Sequence, residues 1–150
     1  PTGIVLGEGI GCVALSVQPN PQCSCELLGV VTLTDNENLT NSSESALRHL
    51  IHACLNKANL SPTHIDGVKV HGVGGNSDEM ELRVLQDVFP HAQQLPLKAR
   101  MGHTLGASGA LESAFLFEQF KNNEQKFGYF LNYFLGFGGS NIAWVLKVGQ

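Results

Sequence analysis

LKARMGHTLGASGALESAFLFEQF, residues 97–120, is the stretch on which the reading of the chain turns. From Thr104 to Phe120 it has the length of a helix, small residues on its first turns, and Glu112 as the single charge before Glu118. Apolar residues nearly all round predict a buried helix. The stretch follows PHAQQLPLK (90–98), a short strand candidate carrying Lys98, and precedes FGYFLNYF (127–134) and SNIAWVLKV (140–148), which predict two strands around the turn LGFGG.

Upstream, GIVLGEGIGCVALSV (3–17) and ELLGVVTLT (26–34) are rich in Val, Leu and Ile and predict two strands joined through PNPQ as a hairpin or sheet corner. Asn41-x-x-Glu44 resembles a capping box, and Ala46, Leu47, Leu50, Ile51, Cys54, Leu55 and Ala58 fall at helical spacing behind it. Ser61-Pro62 predicts a single short turn before DGVKVH (66–71), which alternates like a strand. A second helix is expected to start near Asn76 to Glu79. Strands alternating with helices and a closing antiparallel pair give an α/β layer structure, a mixed sheet with helices packed on its faces.

The 150 residues suit one domain, 43% hydrophobic and 15% charged. A net charge of -4, from 9 Lys+Arg against 13 Asp+Glu, excludes a strong nucleic-acid footprint. No apolar run reaches the roughly 18 residues of a spanning helix, and the chain reads as soluble, untargeted and not membrane-bound. Cys12, Cys23, Cys25 and Cys54 are read as free thiols of a reduced cytoplasmic protein. Cys23-x-Cys25 lacks a second ligand pair at metal spacing, so no metal is expected.

Glycine-bearing turns stand at GEGIG (7–11), HGVGG (71–75) and GFGGSN (136–141), and none spells a dinucleotide fingerprint or a phosphate loop. His49, His52, His64 and His91 fall on polar faces or turns and carry no role. His71 ends a strand and opens a glycine turn, and His103 follows Gly102 where the helix begins. Such places seat catalytic side chains in α/β folds, the alternative being core histidines with satisfied hydrogen bonds. Glu112, with Ser108, Gly109, Phe115 and Leu116 around it, needs a partner or a proton. Lys98 is the nearest cation in sequence, the alternative being a solvated strand-end lysine.

VHGVGGNSDEMEL, LKARMGHTLGASGALES and FLNYFLGFGGSN resemble, in order and spacing, three C-terminal motifs of the β-ketoacyl-acyl carrier protein synthases of the thiolase superfamily. VLGEGIGCVALS resembles that family's GEGAG strand. The resemblance implies a thiolase-like C-terminal half over residues 1–150, with the nucleophilic cysteine in an N-terminal half outside this sequence. Cys12 mid-strand, Cys23 and Cys25 in a polar loop, and Cys54 on an apolar helix face lack the activation that nucleophile needs, so this chain alone is expected to be inactive. It further implies that His71 and His103 bind the malonyl thioester carbonyl and drive decarboxylation, supported by the Lys98–Glu112 pair. Phe137 corresponds to the residue whose backbone N–H helps form the oxyanion hole and whose ring gates the acyl pocket.

Val73 and Gly75 stand where the family has threonines that contact pantetheine, and with Gly138 they are the candidate substrate-binding positions. The implied reaction is decarboxylative Claisen condensation in fatty acid, polyketide or polyene synthesis. It needs no cofactor of its own, its substrates riding on the phosphopantetheine of an acyl carrier protein. The implied partners are that carrier and the N-terminal ketosynthase half or a partner ketosynthase subunit. A non-catalytic partner resembling a chain-length factor is the alternative, and thiolytic chemistry is disfavoured because thiolases use a Cys/His pair. An apolar face is expected where the other half would pack.

Overall fold

Successive apolar residues in the last two segments point to opposite sides of one sheet, and that alternation builds two cores. The computed structural model describes residues 3–18, 25–36, 40, 42–122 and 127–149. Its strands are β1 (Cys25–Thr34), β2 (Gly67–Lys69), β3 (Gln93–Leu95), β4 (Tyr129–Leu135) and β5 (Ser140–Val148), in the sheet order β1-β5-β4-β2-β3. β1, β5 and β4 run antiparallel, whereas β2 is parallel to both β4 and β3, so the mixed sheet read from the sequence is present. The helices are α1 (Glu44–Lys57), α2 (Ser77–Val88), α3 (Lys98–Met101) and α4 (Ser108–Lys121).

On one face, Leu131 and Tyr133 of β4 and Ala143 and Val145 of β5 pack against Leu47, Leu50, Ile51 and Leu55 of α1 and Val84 and Leu85 of α2. On the other, Phe130 and Leu146 meet Leu116 and Phe120 of α4. Each full burial of such a side chain is worth about 1.5–3 kcal/mol, so α1 and α2 are held by their tertiary faces more than by helix propensity. Ser43 caps α1 by accepting the Ala46 N–H at 3.2 Å, and its own N–H donates to Asp35 Oδ2 at 2.7 Å, tying the helix start to the end of β1. Asn41, the expected cap, lies outside the described residues, as do PNPQ and Cys23.

Several expectations are corrected. Residues 3–17 form no hairpin with β1, whose partner is β5, and only Leu6 makes a bridge, to His103. Gly7 and Gly11 lie against other elements: a Cβ on Gly7 would sit 2.2 Å from the Met101 carbonyl oxygen, and one on Gly11 2.6 Å from the Ala110 backbone. Cys12 is therefore in an exposed extended segment, not mid-strand, and Cys25 opens β1 instead of lying in a loop. β2 does not alternate, because a parallel strand covered on both faces buries every residue.

Lys98 starts α3, since Pro96 ends β3 and the Met101 N–H closes a helical turn onto the Leu97 carbonyl. α4 begins at Ser108 after a 3₁₀ turn (Leu105–Ala107), and it is not buried all round. It buries Ser108, Glu112, Ser113, Leu116, Gln119 and Phe120, leaving Leu111, Phe115 and Phe117 half-buried. Ile4, Val5, Leu6, Ile10, Leu15, Val17, Leu105 and Phe137 are exposed. No described helix is long and apolar enough to cross a membrane.

Candidate active site

Parallel strands place chemistry at their C-terminal ends. β2 ends at Lys69, and His71 follows where the chain turns through HGVGG, with Gly72 and Gly74 at φ +40 and +82. Two carboxylates of α2 hold that turn by its backbone. Glu81 accepts the His71 and Gly72 N–H groups at 2.5 and 2.9 Å, and Asp78 accepts those of Val73 and Gly74 at 3.1 and 2.8 Å. The buried Tyr133 hydroxyl also donates to Glu81, and burial foremost raises its pKa well above the usual phenol value.

His103 reaches the same place from α3. Gly102, at φ 75, turns the chain, and residues 3–7 strap the two histidine turns together. The Gly3 N–H donates to the Gly74 carbonyl at 3.1 Å, the His103 N–H to Val5 at 2.8 Å, and the Gly7 N–H to His103 at 3.1 Å. The imidazoles stand edge to face with centroids 6.0 Å apart.

Each ring's Nδ1 accepts a backbone N–H, His71 from Leu135 at 3.4 Å and His103 from Leu105 at 3.3 Å. In a neutral imidazole the proton then sits on Nε2, leaving that nitrogen a donor. Burial, then the Lys98 and Lys69 charges, push His71 down to about 2. Burial and then Lys98 also lower His103, which is 9% exposed. Both rings are neutral donors at neutral pH.

Beside them lies a buried charge cluster. Lys98 Nζ is 2.8 Å from Glu112 Oε1, the pairing expected from the sequence. Lys69 Nζ is 3.2 Å from Glu112 Oε2, and these side chains are buried to 3% exposure or less. Lys69 is missed by the sequence reading. Its signal is a lone lysine between Val68 and Val70, on the same side of the strand as His71.

Phe137 sits in the turn between β4 and β5, where Gly138 and Gly139 have φ +76 and +72. A Cβ on Gly139 would meet the Asp35 carbonyl oxygen at 1.7 Å, while the Asp35 N–H donates to the Gly139 carbonyl at 2.9 Å. Asn141 Oδ1 braces the turn by accepting the Gly136 N–H at 3.3 Å and the Ser42 hydroxyl at 2.9 Å. The 65%-exposed Phe137 joins His71, His103, Val73, Phe134 and Trp144 around a cavity of about 630 Å³. Gly75 and Gly138 do not line it.

The profile of the β-ketoacyl synthase C-terminal domain matches residues 24–125. The chain belongs to that family. The chain is 32% identical over 120 residues to nodulation protein E of Rhizobium leguminosarum bv. trifolii, covering 73% of this chain and 30% of that protein. It is 30% identical over 123 residues to 3-oxoacyl-[acyl-carrier-protein] synthase 2 of Coxiella burnetii, covering 74% of this chain and 30% of that protein. The domain thus spans about 30% of the length of these relatives.

Among solved structures, a β-ketoacyl synthase from Burkholderia phymatum superposes with a TM-score of 0.77 at 22% identity, over 85% of this chain and 38% of that one. A ketosynthase in complex with its chain length factor from Xenorhabdus doucetiae gives 0.77 at 24%, over 88% and 40%. These show that the chain has the expected fold.

Proposed function

We propose that this domain supplies the decarboxylating half of a condensing-enzyme site, which joins an acyl thioester to a malonyl thioester on an acyl carrier protein in fatty acid, polyketide or polyene synthesis. The observation that carries the reading is the pair of neutral imidazoles lining one cavity, each with Nδ1 occupied by a backbone N–H. Two donors fixed where negative charge develops stabilise it without reorganising.

As the carbon–carbon bond to the malonyl carboxylate breaks, carbon dioxide leaves and its electron pair moves toward the thioester oxygen. The Nε2–H groups of His71 and His103 would meet that oxygen. The resulting carbanion attacks the acyl thioester carbonyl, the Phe137 backbone N–H accommodates the tetrahedral oxyanion, and collapse expels the nucleophile's thiolate. That nucleophile is none of the described cysteines: Cys12 is exposed on an extended segment, Cys25 opens an edge strand, and burial pushes the Cys54 thiol up to about 12. We therefore propose that this chain by itself forms no acyl-enzyme.

The alternative of a non-catalytic partner subunit is favoured by Val73 and Gly75, which bring no hydroxyl to a pantetheine arm. In a full-length protein containing this domain, His71→Ala and His103→Ala should each abolish malonyl decarboxylation while acyl transfer to the nucleophile persists. Full decarboxylation by either variant overturns the role given to that histidine.

A further inference from the structure

The cation beside the imidazoles has no part in the reaction just described. Lys69 closes β2 two residues before His71, in register with Leu95 of β3 and Asn132 of β4. Its side chain is fully buried, with Nζ 3.2 Å from Glu112 Oε2 and 3.5 Å from the centroid of the Phe134 ring. The other oxygen of Glu112 holds Lys98 at 2.8 Å. One carboxylate thus faces two ammonium groups.

A Lys98–Glu112 pair would be neutral without Lys69, and burying an extra cation is unfavourable unless something opposes the loss of water. Glu112 and the face of Phe134 are what this cation meets. Phe134 in turn lines the cavity and stands against Trp144, with centroids 5.3 Å apart. The excess positive charge lies beside both histidines, where a like charge disfavours imidazolium.

We propose that Lys69 is a positioning residue of the site: its ammonium, wedged between Glu112 and the ring of Phe134, holds the carboxylate, Lys98 and the cavity wall in the arrangement that presents both imidazoles as donors. Its effect on rate rests on the condensing-enzyme reading, and its effect on the rings does not. The titratable groups that face it are Glu112 from α4, Lys98 from α3, Glu81 from α2, the two histidines His71 and His103, and Tyr133 from β4, whose ring centroid is 5.6 Å from Nζ. Burial lowers Lys69 to about 7 against the pull of Glu112.

The test uses the full-length protein containing this domain, with Lys69→Met and Lys69→Gln. Malonyl decarboxylation on a carrier protein is followed from about pH 6 to about pH 9, beside ¹⁵N shifts of the histidine rings. Both variants should lower kcat about tenfold, the scale on which a displaced group is felt, with KM within about twofold. They should also lack any inflection that deprotonation of Lys69 gives the parent, and their rings should depart from the Nε2–H pattern. Parent-like kcat, inflection and ring shifts in both variants overturn the proposal. If the parent itself does not decarboxylate, the condensing-enzyme reading falls, and the ring shifts alone decide Lys69. If neither variant folds, the ¹Hε shifts of Lys69 in the parent decide: an upfield displacement by the face of the Phe134 ring supports the wedge, and ordinary shifts overturn it.

Discussion

Glu112→Gln removes the carboxylate that two buried ammonium groups share while keeping its shape. In the parent, Lys98 and Lys69 lie 2.8 and 3.2 Å from its two oxygens, with side-chain exposures of 3% and 0%. Removing one partner of a buried pair costs about 3–5 kcal/mol, because an uncompensated charge remains. Lys98 is the charge left without its partner, since Lys69, already lowered to about 7 in the parent, sheds its proton once Glu112 is gone, so a loss within that range is expected. For a domain of this size each kcal/mol moves the melting temperature by about 2–4 °C, and the loss should appear as a fall of at least about 6 °C. A buried ammonium without counter-charge sheds its proton as the pH rises, whereas the unfolded chain keeps it up to about 10.4. The deficit should therefore narrow between about pH 5.5 and about pH 8, as the pH rises through the value of about 7 that Lys69 has in the parent. Urea unfolding of parent and variant at both pH values measures this. A loss below about 1 kcal/mol, the scale of a surface ion pair, would refute the reasoning, as would a deficit independent of pH.

Gly7→Ala places a Cβ 2.2 Å from the Met101 carbonyl oxygen. It should destabilise by about 1–3 kcal/mol and slow decarboxylation about a hundredfold by shifting His103, measured by melting and by carbon dioxide release. Because the folded-state values of His71 and His103 lie below the unfolded value of about 6.5, the unfolded rings bind protons that the folded ones do not. The stability these rings contribute is present above pH 6.5 and lost below it, by up to about 1.4 kcal/mol for His71 at pH 5.5, which melting scans in His71→Ala and His103→Ala would show as a flatter acid limb. Iodoacetamide at neutral pH should label the exposed Cys12 and leave the fully buried Cys54, pushed up to about 12, unlabelled until the protein unfolds, as intact mass will report.

What the sequence discloses follows from which forces act locally. The alternating apolar residues of 129–148 specify an antiparallel pair because each face has its own core, Leu131 with Val145 on one side and Phe130 with Leu146 on the other. Lys98–Glu112 is legible because a lone carboxylate on an apolar helix demands a cation. Residues 3–17 mislead, since Val, Leu and Ile report an extended backbone but not its neighbour. The glycines at 7, 9 and 11 choose Met101, Leu111 and Ala110 instead of β1. Lys69 is hidden for a related reason: alternation suggests that it faces water, and a strand covered on both sides has no such face. The carboxylates of Asp78 and Glu81 are equally silent, because their partners are backbone N–H groups that leave no mark on side-chain pattern.

The convergence of the two imidazoles on one oxygen is tested most directly by a crystal structure of the full-length protein with a non-decarboxylating malonyl-thioester analogue. Nε2 of His71 and Nε2 of His103 should both lie about 2.7–3.1 Å from the same thioester oxygen, with each Nδ1 still accepting from Leu135 and Leu105. A thioester oxygen met by only one of the rings, or by neither, would contradict the mechanism.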